Sequence, residues 1–109
     1  MRTIGAEGLA LALVAGLLVG FAAKEERRAP GTRPDCVAVT WQARWGASAY
    51  NHWVTVANRC DDDVRCQVST DVNPEVLRVD VEAGEAEDRL TFRGSPAREF
   101  TPTVACHRR

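Results

Sequence analysis

Lysine is almost missing from this chain: Lys24 is the only one among 109 residues, and arginine supplies nearly all the positive charge. That bias reflects coding preference more readily than function. The formal net charge is −1, with no basic excess to hold nucleic acid and no polybasic stretch to hold a membrane surface. No Cys-x-x-Cys occurs, which removes a thioredoxin-like redox pair, and the wide cysteine gaps do not suit zinc. A nucleophile elbow, a phosphate-binding loop and a dinucleotide fingerprint are also missing. Beyond the N-terminal apolar run there is no convincing helical periodicity.

The N-terminal third has its own character. Gly8 to Ala23 is an uncharged apolar run of 16 residues, preceded by Arg2 and followed by Lys24-Glu25-Glu26-Arg27-Arg28. A bilayer span takes roughly 20 apolar residues, so the run is short for an anchor. Its order of basic, apolar and small residues predicts a helical secretory signal over residues 1–22, cut after Ala22. Glu7 is atypical of such a signal, and a retained anchor is the alternative. Residues 23–35, charged and carrying Pro30, Gly31 and Pro34, read as a flexible, solvated linker. Residues 36–109 form the expected folded domain. Cleavage leaves about 87 residues, a size at which an apolar core alone is marginal.

All four cysteines, Cys36, Cys60, Cys66 and Cys106, fall in that domain. An even count in a short exported chain predicts a disulfide framework and a secreted or periplasmic location. Three pairings are possible. The favoured one is Cys60–Cys66 with Cys36–Cys106, a hairpin-sized loop and a tie from first strand to last. Chain-entropy arithmetic gives these about 2.4 and about 4.4 kcal/mol, so the long bridge would dominate. The competing pairing, Cys66–Cys106 with Cys36–Cys60, has the merit that Cys66 and Cys106 both point inward, as a bridge from sheet to sheet would need.

Period-two alternation predicts about six strands separated by turn residues. They cover Cys36–Trp45, Tyr50–Asn58, Val64–Thr70, Val76–Val81, Asp88–Arg93 and Phe100–Cys106. Trp41 and Trp45 fall on the inward face of the first, and Leu90 and Phe92 on that of the fifth. Pro102 places the last strand at a sheet edge or interrupts it. The fold class is all-β, a small antiparallel sandwich of immunoglobulin-like type.

Candidate sites are few. Trp53 lies on the opposite strand face from His52 and Val54, which makes it the best candidate for an exposed aromatic contact with a protein or glycan. His52 is a possible base for a small hydrolase, but no nucleophile motif accompanies it, and the plain reading is a partly buried strand residue. His107 lies near the C-terminus. Asp61-Asp62-Asp63, with Asp71 and Asn73, offers oxygen ligands without the alternating spacing of a calcium loop, so a solvated turn is the simpler account. No metal or cofactor is expected.

Tyr50-Asn51-His52-Trp53-Val54, Asn58-Arg59-Cys60, Cys66, Ser69 to Pro74, Phe92 to Pro96 and Cys106 together resemble small exported bacterial proteins that carry a disulfide-bonded β-domain. The resemblance implies export and two bridges, and it implies no activity. The expectation is therefore a non-enzymatic, monomeric binding or structural module, free of nucleic acid and membrane once cleaved. An inhibitor or effector-like protein is the alternative, and a hydrolase using His52 a less favoured one.

Overall fold

A computed structural model describes residues 28–109; the predicted signal segment and the start of the linker lie outside them. Six strands follow one another: β1 (Val37–Trp45), β2 (Tyr50–Asn58), β3 (Val64–Thr70), β4 (Leu77–Val81), β5 (Ala86–Ser95) and β6 (Pro102–Arg108). They form two antiparallel three-stranded sheets, ordered β1-β2-β5 and β4-β3-β6. No helix occurs among the described residues.

The alternation works where valines recur at every second position. Val54 and Val56 of β2 and Val64 and Val68 of β3 are buried, as are Val79 and Val81 of β4 and Val104 of β6. These residues of both sheets belong to one core cluster. Each buried valine contributes about 1.5–3 kcal/mol, and β-branched side chains suit the pleat. The core is small, which gives covalent bridges their importance.

Those bridges are Cys36–Cys60 and Cys66–Cys106, not the favoured pairing. Each lies within one sheet. Cys36 and Cys60 bracket the β1–β2 hairpin, and Cys66 and Cys106 are direct partners in the β3–β6 ladder, with Cα atoms 4.0 Å apart. Ladder register decides the second pair, because opposed residues on one face bring their Cβ atoms together. Cys60 is also committed elsewhere: its N–H donates to Asn58 Oδ1 at 2.9 Å, turning it toward the β1–β2 sheet. The loops span 24 and 40 residues, so the same arithmetic now gives about 3.5 and about 3.9 kcal/mol, and neither bridge dominates. Two disulfides point to an oxidising compartment.

Strand β5 departs from its expected facing. His52 pairs with Phe92 and the next residue, Trp53, with Leu90, so Thr91 is an extra residue bulged out of the ladder. Thr91 therefore turns inward, with its hydroxyl donating to the His52 carbonyl at 3.1 Å, while Leu90 and Phe92 are only half-buried. Burial also falls along β1, from buried Val37 through half-buried Trp41 to Trp45, which is 63% exposed and packs edge-on against Tyr50. An inward-facing position is buried only where the other sheet covers it. Pro102 opens β6, the outer strand of its sheet, as a proline can.

Residues 29–33, read as linker, are tied to β6 by main-chain hydrogen bonds, while Pro30, Gly31 and Thr32 stay exposed. Val104 N–H donates to the Pro30 carbonyl and Cys106 N–H to the Thr32 carbonyl, each at 2.9 Å. The segment thus runs parallel to β6 along its outer edge. Ala29 is buried, and the Arg33 guanidinium donates to the carbonyls of Val104 at 3.1 Å and Ala29 at 3.0 Å. Burial, and secondarily the charge of Arg28, hold the Arg33 guanidinium below its ordinary pKa. Gly31 is required here: its φ is +117°, and a Cβ would overlap the Val104 carbonyl.

Candidate functional site: a groove beside the first strand

A concavity of about 600 Å³ lies beside β1. One side is Trp41, Gln42 and Ala43. The other is the loop of residues 98–101 that leads into β6, and Asp71, just past the end of β3, adds a carboxylate. A shallower hollow of about 230 Å³ involves Thr40, Trp41, Gln42 and Thr55. Both hollows meet at Trp41.

The loop is held in place by groups that the strands supply. The His52 ring is stacked on Phe100, centroids 4.1 Å apart and 9° from parallel. Its Nε2 lies 2.8 Å from the Ala97 carbonyl. Because a carbonyl only accepts, Nε2 is the donor in this contact. Ser95 Oγ accepts from Ala97 N–H at 2.9 Å. Asp71 and Thr101 are joined twice: Asp71 N–H donates to the Thr101 carbonyl at 3.1 Å, and Thr101 N–H to Asp71 Oδ1 at 2.9 Å. A short apolar ring contact and four polar contacts thus fix the loop from behind, leaving the charged side chains of Arg98 and Glu99 exposed.

His52 is fully buried rather than partly so, and its polar contact is a main-chain carbonyl rather than a carboxylate. That geometry makes His52 a residue that positions the loop. Its burial was legible from the strand parity; its partner, 45 residues further along, was not.

Trp53 lies away from the groove. It is half-buried, with the Arg44 guanidinium carbon 4.9 Å from its ring centroid. A cation over an indole face occupies the surface a ligand would use. The more exposed tryptophan is Trp45, which sequence parity had placed in the core.

The acidic turn is likewise engaged locally. Asp62 faces Arg108 at 3.3 Å, and Asp63 Oδ1 accepts from Ala83 N–H at 2.9 Å. Asn73 donates to the Thr91 carbonyl at 2.7 Å. Among the described residues no three His, Cys, Asp or Glu side chains converge as metal ligands would. His107 is exposed on β6, opposite Arg65.

Sequence reasoning missed the groove, since its two sides are separated by more than 50 residues of chain and neither carries a motif. The closest signal was Trp41, which parity places on the inward face of the first strand. No protein-family model, curated protein or solved structure matches this chain, so the likeness to small exported bacterial proteins rests on the quoted residues and brings no family with it.

Proposed function

We propose that this is an exported, non-enzymatic binding module that meets its ligand at the groove between β1 and the loop of residues 98–101. Export follows from the predicted signal over residues 1–22 and agrees with two disulfides. The strand order fits a reduced immunoglobulin-like sandwich, with β1, β2 and β5 in one sheet and β3, β4 and β6 in the other. That architecture carries many functions, so the ligand site has to be argued from the groove itself. The observation that carries the reading is that the loop is held from behind, by His52 and Asp71, while the side chains of Arg98 and Glu99 are exposed. A concavity of this size, rimmed by Asp71, Arg98 and Glu99, offers polar and charged anchors to a ligand.

The test is a map of amide shifts in the 15N-labelled, oxidised protein against panels of short peptides, oligosaccharides and small organic acids. The expected shifts cluster at Trp41 to Ala43, Asp71 and residues 98–101. Shifts confined to the Trp53 face, or none with any panel, would overturn the groove as the contact site.

A further inference from the structure

Four strand edges bound the two sheets, and three are guarded. Strand β4 is five residues long and carries Arg78 and Asp80. Strand β5 is broken in register by the Thr91 bulge and bears Glu87, Asp88, Arg89 and Arg93. The outer edge of β6 is covered by Pro30 and Thr32. Short length, charge, bulges and coverage are the devices by which proteins stop an edge from pairing with another chain.

Among the described residues, none of these devices guards β1 at Val39 or Ala43. It is nine residues long, holds an unbroken register with β2, and has neither a proline nor a charge from Val37 to Ala43. At 3.4 Å per residue it offers a ladder of about 30 Å. The facing of its peptide groups follows from one bond: Arg59 N–H donates to the Cys36 carbonyl, so even-numbered residues of β1 bond to β2. Alternation then turns the N–H and C=O of Val39 and Ala43 away from β2, to the outer edge of the sheet, where Ala43 also lines the groove.

We propose that an extended peptide of another protein adds to β1 as the fourth strand of this sheet, using the main-chain groups of Val39 and Ala43 and laying alternate side chains against the loop of residues 98–101. The proposal rests on the groove being the binding site and names the class of ligand. The chemistry selects a polypeptide: a donor and an acceptor recurring every second residue match another strand, and a glycan has no such repeat. Arg98 and Glu99, exposed on the loop, offer unlike charges beside that edge, which favours a strand that carries charged residues of both signs.

The experiment selects binders for the exported, oxidised protein from a random heptapeptide library, then remakes the best with N-methyl groups on either of the two alternating sets of peptide nitrogens. One set should lose affinity by about tenfold or more and the other little, because only one set faces β1. Ala43→Pro removes an edge N–H that β2 does not use and should weaken every selected peptide similarly. Equal tolerance of both methylated sets, selected peptides indifferent to Ala43→Pro, or a peptide-free dimer that Ala43→Pro dissolves would each overturn strand addition. If oligosaccharides shift the groove resonances and peptides do not, strand addition falls while the groove stands as a binding site. If neither class touches the groove, both readings fall.

Discussion

His52 and Phe100 lie face to face across the junction of a strand and a loop, and the loop's shape depends on that stack. The imidazole also donates to Ala97, so one buried side chain fixes residues on both sides of Arg98 and Glu99. His52→Ala removes the ring and the partner of the half-buried Ala97 carbonyl. The expected loss is about 2–4 kcal/mol of stability in urea unfolding. It should be accompanied by faster amide exchange at residues 97–101 than at β3. Exchange that rises uniformly over the domain would show that His52 is ordinary core and holds no loop.

The disulfide pairing makes a sharp prediction. Trypsin cuts after Arg59 and Arg65, which separates Cys60 from Cys66. A non-reducing digest should join the Cys60–Arg65 peptide to the one holding Cys36, and the Cys66–Arg78 peptide to the one holding Cys106. Removing either bridge with paired serines should cost about 3–4 kcal/mol, and the two losses should be similar. A linked pair of Cys60–Arg65 and Cys66–Arg78 peptides would refute the pairing outright.

What could be read from residues alone follows the physics of each feature. Strands β2 and β3 match their expected bounds because alternation with β-branched residues is a local property. Thr91 could not be foreseen as the inward residue of β5, since a bulge is fixed by the partner strand and not by the strand that contains it. Trp45 was misplaced for a related reason: parity gives the face, and the extent of the opposing sheet gives burial. The disulfides turned on register between β3 and β6, again a non-local quantity. The groove combines all three, with an edge strand, a loop distant in sequence and a histidine stack between them.

Gly31 tests whether residues 29–33 belong to the domain. Gly31→Ala forces a side chain into the Val104 carbonyl at a positive φ, so the segment must leave β6 or the strand must shift. The expected cost is more than ~1 kcal/mol, with lost exchange protection at the Val104 and Cys106 amides. Protection at both amides equal to that of the parent would mean their bonds to Pro30 and Thr32 contribute nothing.

Asn58 ties the two sheets through one buried amide. Its Nδ2 donates to the carbonyls of Val81 at 3.0 Å and Asp62 at 2.9 Å, and its Oδ1 accepts from Cys60. Asn58→Ala leaves those three groups unmatched and should cost about 3 kcal/mol. Asn58→Asp keeps the acceptor but loses both donations, and places carboxylate oxygens near two carbonyls. It should be at least as destabilising near neutral pH. An aspartate variant as stable as the parent would contradict the amide's assigned orientation.

Acid sensitivity should be concentrated at Asp80. Arg65 Nε donates to Asp80 Oδ1 at 2.8 Å between directly paired residues of β3 and β4. That hydrogen bond is the largest influence on Asp80 and holds its carboxyl below the usual aspartate range, with the charges of Arg65, Arg109 and Arg78 acting the same way and partial desolvation opposing them. A carboxyl whose folded pKa is depressed stabilises the fold fully above its unfolded pKa and loses that contribution as pH falls through the folded one. Stability should therefore decline on acidification through that interval, and Asp80→Asn should flatten this part of the profile while lowering stability at neutral pH. Carboxyl 13C titration should find Asp80 among the last aspartates to protonate. An Asp80 midpoint at the ordinary aspartate value would show that the pair has no thermodynamic weight.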